Sequence, residues 1–175
     1  PLDSHAGHGL EKVETLDELR VYLSAATEDA FYISLFVDYQ NADGLFRKYR
    51  VVMVDGVPFA GHMGVSSHWM IHYLNAGMTE SAEKRAEEEQ FMRSFDTGFA
   101  QRHGAALITL SERFGLEYLV IDCAETPTGD LLVFEVDPGA VVHSMDPPAL
   151  FPYKSAHMQK VFKAFRAMLQ RLTRV

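Results

Sequence analysis

The chain has 175 residues, a formal charge of −8 and 47% hydrophobic residues, which is enough for one sizeable core. The acidic balance excludes nucleic acid as the main partner, because no basic excess exists to neutralise phosphates. A single cysteine, Cys123, excludes an internal disulfide framework and suits a reducing cytoplasm, and no apolar run approaches the roughly 20 residues that span a bilayer.

Pro1 to Leu10 is rich in Gly, His and Ser and reads as a loop. Pro1 in place of an initiator Met, together with that loop-like opening, leads us to expect a piece of a longer protein. The next segment places Leu16, Leu19, Leu23 and Ala26 on one helical stripe capped by Thr15. Ala30 to Tyr39 is β-branched and aromatic and predicts a strand. Asn41 to Gly44 supplies a turn, and Tyr49 to Val65 reads as two antiparallel strands joined at Asp55-Gly56.

From Thr79 the period changes. Thr79 to Arg102 predicts a charged helix, and Ala106 to Gly115 a second one that ends on its glycine. Two strongly apolar strands follow, from Leu119 and from Leu131, joined by a turn built on Pro127 and Gly129. The last helix carries Met158, Val161, Phe162, Phe165, Met168, Leu169 and Leu172 on one face. Hairpins dominate this order. The expected fold is therefore α+β, a single domain over residues 1–175 with an antiparallel sheet and helices packed on one side.

Both apolar strands end on acids. Glu135 and Asp137 stand two apart and so share one face of their strand. A four-residue turn, Thr126 to Gly129, would set Asp122 opposite Val133 and make it a diagonal neighbour of Glu135. Ionised acids that close raise each other's pKa. A hard divalent cation relieves this, and Mg²⁺ favours a few carboxylates together with waters and substrate phosphates. The competing reading is that each acid is simply solvated where its strand ends.

The run from Leu119 to His143 resembles the metal-binding hairpin of ATP-grasp enzymes. In that family an Asp, then a Glu and an Asn two residues apart, hold Mg²⁺ against the phosphates of ATP. The matching positions are Asp122, Glu135 and Asp137, with Asp137 departing from the commoner Asn. Ser4 to Leu10 is similar to the family's glycine-rich loop, which implies that Gly7, His8 and Gly9 cover the ATP phosphates. Backbone N–H groups at such glycines approach phosphate oxygens with no side chain intervening. Phe31 to Tyr39 is similar to the strand and hinge that receive adenine, which implies backbone contacts from Leu35, Phe36 and Val37 and a ribose contact from Asp38. Arg47 to Gly56 is similar to the strand whose arginine, here Arg50, approaches the phosphates or the acyl phosphate. Lys48 shares the face of Arg50, so two cations can flank one anion.

The resemblance spans about Ser4 to His143 and is nearest to the branch of glutathione synthetase and the ligases that add amino acids to peptides. It implies the C-terminal portion of an ATP-grasp protein, with ATP and Mg²⁺ as cofactors. It also implies joining of a carboxylate to an amine or thiol through an acyl phosphate. The alternative of another class is a non-catalytic nucleotide-binding or regulatory domain that keeps the fold.

Other features carry less. His68 and His72 stand four apart near His62, a zinc-ligand spacing if the segment is helical. The same segment, with Trp69, would equally line an acceptor pocket or pack as an ordinary loop. His143 either orients a substrate carboxylate or is structural. Cys123 faces away from Asp122 and reads as core.

Overall fold

The computed structural model describes residues 7, 9–142 and 145–173. The chain divides into two compact units, Pro1–Asp38 and Tyr39–Val175. His8 and His143 lie outside the described residues.

In the first unit, helix α1 spans Leu16–Ala25. Thr15 caps it as expected: its hydroxyl accepts from the Glu18 N–H at 3.1 Å, and Glu18 accepts from the Thr15 N–H at 3.2 Å. This reciprocal box satisfies donors that the first helical turn leaves free. Ala30 to Tyr39 is not a strand. Apolar and β-branched composition favours extended backbone, but a strand also needs a ladder partner, and none is present among the described residues. Leu35 is 92% exposed, and Phe36 and Val37 are exposed as well.

The second unit is built on a four-stranded antiparallel sheet in the order β2-β1-β3-β4, with β1 Phe46–Val54, β2 Val57–Ser66, β3 Tyr118–Glu125 and β4 Leu131–Asp137. The β1–β2 turn is Asp55-Gly56, with φ of 49° and 74°, the paired positive values that a two-residue hairpin demands. Helix α2 spans Ala82–Ser94 and α3 spans Phe99–Phe114. The break between them falls at Phe95 to Gly98, earlier than the pattern predicts, and Gly104 lies inside α3. A Cβ on Gly98 would sit 2.9 Å from the Ser94 carbonyl, so the chain turns there tightly. Phe95 and Phe99 stack across the turn, with ring centroids 5.9 Å apart. Helix α4 spans Lys154–Leu172.

Alternation along the strands sorts the core into two faces. Tyr49, Val51, Met53, Ile121 and Cys123 meet Met92 of α2 and Phe99 and Leu107 of α3. Val52, Val54 and Val120 meet Val161 and Met168 of α4. Helices therefore cover both faces, not one. The stripe on α4 is apolar from Val161 to Met168 because it has its own valine-lined sheet face to bury, whereas Leu169 and Leu172 are exposed.

Candidate functional site: a charged row across the sheet

Four strands each place one polar residue in a single row. His62 of β2 pairs with Arg50 of β1, Arg50 pairs with Asp122 of β3, and Asp122 pairs with Glu135 of β4. All four lie on the face that α4 partly covers. Lys48 stands two residues before Arg50 on the same face, and Asp137 faces Val120 two residues beyond Glu135.

Two β-bulges build this row. In β2 the register slips between Arg50 and Val51, leaving Gly61 unpaired. Without that extra residue His62 would fall on the opposite, aromatic-lined face. A Cβ at Gly61 would lie 2.9 Å from the Arg50 carbonyl and 3.0 Å from its Cγ, so the close approach requires glycine. In β4 the slip leaves Phe134 unpaired between Val133 and Glu135. That bulge turns both Glu135 and Asp137 towards Asp122. The β3–β4 turn also has five residues, Thr126 to Asp130, closed by the Thr126 N–H to the Asp130 carbonyl. Asp122 thus stands directly opposite Glu135, where a four-residue turn had placed Val133.

Asp122 is 3% exposed and is held by both cations. Arg50 donates Nε and Nη2 to its two oxygens at 2.7 and 2.9 Å, and Lys48 Nζ lies 2.7 Å from Oδ2. Burial pushes its pKa up, but the Arg50 hydrogen bonds and the Lys48 charge outweigh this and hold it at about 2. Glu135 is exposed and Asp137 half-buried. One oxygen of Asp137 accepts the Gly139 N–H at 2.7 Å.

These positions bear on metal binding. Among the described residues no group of three or more His, Cys, Asp or Glu side chains is arranged to hold a metal ion. Glu135 and Asp137 offer hard oxygens on one face, which fits Mg²⁺ with its preference for one or two carboxylates plus water and phosphate. Asp122 spends its oxygens on Arg50 and Lys48 and joins such a set only by exchanging partners. His68 and His72 lie in an irregular segment before a single 3₁₀ turn, Tyr73–Asn75, so they do not share a helix face. Cys123 is fully buried, and burial pushes its thiol pKa up, which removes it as a nucleophile. Gly7, Gly9 and Leu35 to Asp38 belong to the first unit.

Sequence reasoning missed a buried cluster beside the row. Glu88 of α2 is wholly buried. It accepts the Met63 N–H at 3.0 Å and the Tyr153 hydroxyl at 2.6 Å, and Lys154 Nζ lies 3.1 Å away. Lys154 also bonds Asp146 at 2.7 Å and the Tyr73 hydroxyl. Tyr73 in turn stacks on His62, with ring centroids 4.2 Å apart. Glu88 sits mid-helix among three acids, and only its place on the inward stripe distinguishes it from its solvated neighbours.

No family model matches the chain, and no curated protein is similar to it in sequence. Among solved structures it is similar to the macrocyclase MdnB from Microcystis aeruginosa MRC, at 18% identity and a TM-score of 0.31, over 83% of this chain and 49% of that one. The chain spans about half the length of that protein. A likeness at this level supports neither a fold nor an activity.

Proposed function

We propose that the chain is the phosphate-handling lobe of an ATP-grasp-type ligase that joins a carboxylate to an amine or thiol through an acyl phosphate. The observation that carries this reading is the row itself. Lys48 and Arg50 lie side by side over Asp122, with Glu135 and Asp137 on the same face. Cations and hard oxygen donors on one sheet face are what a metal-bound polyphosphate requires. The sequence resemblance supplies the reaction class.

In this reading Arg50 and Lys48 stabilise charge on the transferring phosphoryl group. Glu135 and Asp137 hold Mg²⁺, which when bound neutralises the triphosphate. Asp122 holds Arg50 through its two-point contact, so the guanidinium is positioned before any ligand arrives. No side chain acts as a covalent nucleophile.

The test is MgATP binding by the full protein. A ligand at about a hundred times its Kd adds roughly 2.7 kcal/mol of stability, read as a rise in Tm. ADP release that requires both a carboxylate and an amine or thiol supports the ligase. Absence of any nucleotide-induced shift refutes the proposal. The second reading is a nucleotide-binding or regulatory domain without turnover, favoured by the engagement of both Asp122 oxygens. It predicts a Tm shift with no acceptor-dependent ADP release.

A further inference from the structure

At the His62 end of the row, one cleft has unspent chemistry. It is bounded by Arg50, His62, Asp146 and Lys154, floored by Gly61, and walled by Val141, Val142 and Met158. Its size suits a group about as large as a water molecule or a carboxylate head. Arg50 gives Asp122 only Nε and Nη2, which leaves Nη1 for another oxygen. Neither ring nitrogen of His62 has a hydrogen-bond partner among the described residues, although Tyr73 fixes the ring plane by stacking. A stacked, positioned imidazole whose nitrogens are open to solvent, next to a guanidinium with a spare edge, offers a ligand two ready partners.

Charge decides which ligand. The groups facing His62 are Arg50 and Lys48 from β1, Asp122 from β3, Lys154 from α4 and Asp146 from the loop before it. Lys154 is compensated by Asp146, Glu88 and Tyr73. Even so, burial and then the charges of Arg50 and Lys154 drive the His62 pKa well below its ordinary value, and Asp122 opposes them more weakly. Lys154 is engaged by those partners, whereas Arg50 Nη1 is a charged donor that Asp122 does not use. A small anion is therefore favoured there over a cation. Val141 is exposed at the mouth, so a ligand with an aliphatic tail covers surface that water now wets.

We propose that this cleft binds the carboxylate of a short aliphatic acid, its head held by Arg50 Nη1 and the His62 ring and its tail laid on Val141, Val142 and Met158. For its place in a reaction the assignment rests on the ligase reading above. There a carboxylate oxygen of this acid takes the γ-phosphoryl group of ATP as the bond to the β,γ-bridging oxygen breaks and ADP leaves, with one guanidinium reaching both the carboxylate and the incoming phosphoryl group.

The experiment is a titration of the full protein, carrying ¹⁵N-histidine, with sodium isovalerate, followed by the His62 ring resonances. Isovaleramide and sodium chloride at equal ionic strength are the controls. We expect saturable shifts at millimolar isovalerate and an upward move of the His62 titration when the acid is bound. The amide and chloride leave both unchanged. His62→Asn weakens isovalerate binding about tenfold, the size of one hydrogen bond to a charged group. Absence of saturable shifts up to 100 mM (roughly the top of the millimolar range), or equal shifts from the amide, overturns the proposal. MgATP binding is measured on the same samples. Nucleotide binding without isovalerate binding rejects this cleft alone, whereas isovalerate binding without nucleotide binding upholds the cleft and rejects the ligase reading.

Discussion

Replacing Asp122 by Asn tests the core of the site most directly. The carboxylate lies almost wholly out of water and meets three charged N–H donors within 2.9 Å. Its pKa falls from 3.8 to about 2 on folding, a preference for the ionised form of roughly 2.5 kcal/mol at about 1.4 kcal/mol per unit. Asn removes the charge and turns an amide N–H₂ towards two cations. Deleting one partner of a buried pair costs about 3–5 kcal/mol, so we expect a loss of about 3 kcal/mol at pH 7. Urea unfolding reads this as a fall of about 1.5 M in midpoint, with m near 2 kcal/mol/M.

The pH dependence supplies the refutation. A folded pKa below the unfolded one stabilises the protein above the unfolded value, and the contribution disappears as pH falls through the folded value. The gap between wild type and Asp122→Asn must therefore be full at pH 5 and above. It narrows from about pH 4 and nearly closes by pH 2. A loss under about 1 kcal/mol at pH 7, well below the range for a broken buried pair, refutes the reasoning. So does a gap that stays level down to about pH 2.9, midway between the two pKa values.

Three further outcomes follow from the same geometry. Gly61→Ala brings a methyl to 2.9 Å from backbone that cannot yield cheaply; a loss of about 1–3 kcal/mol and weaker nucleotide binding are expected, and an unchanged melt would show that the bulge tolerates a side chain. Glu88→Gln uncharges a wholly buried acid shared by Lys154, Tyr153 and the Met63 N–H, costing about 3 kcal/mol as seen by calorimetry. Glu135→Gln alters an exposed side chain, so stability stays within about 0.5 kcal/mol. Calorimetric titration should instead show Mg²⁺-dependent nucleotide affinity falling at least about tenfold, the size of one charged contact; undiminished affinity removes Glu135 from the metal set.

Local signals were legible wherever a single residue type dictates backbone shape. Asp55-Gly56 and the Thr15 cap stand where the pattern puts them, and so does the apolar stripe of α4 as far as Met168, beyond which Leu169 and Leu172 are exposed. The segment Ala30 to Tyr39 fails for the opposite reason: its composition satisfies strand propensity, yet propensity alone supplies no ladder. The pairing of Arg50 with Asp122 was equally invisible, because the partners lie 72 residues apart and only sheet order joins them. Gly98 and Gly104 show a subtler failure. Both look like helix breakers, but only Gly98 has a carbonyl where its Cβ would be, while Gly104 faces open space.

The placement of the acids is the most instructive case, since two errors cancelled. Leu131, Leu132, Val133 and Phe134 form an unbroken apolar run, within which period-two alternation cannot reveal where parity changes. A turn one residue longer than expected would by itself carry Glu135 and Asp137 to the aromatic-lined face. The unpaired Phe134 shifts parity back, so the shared face survives while Asp122 moves from a diagonal to a direct partner of Glu135. The same device acts at Gly61, where a glycine inside a strand was a readable sign of a bulge, and it delivers His62 to the row. Both slips fall next to the row, one in each strand that flanks the central pair. Two independent parity changes that bring polar side chains to one line, at the expense of ladder bonds, are hard to account for by stability alone. They follow naturally if the row is what the sheet is built to present.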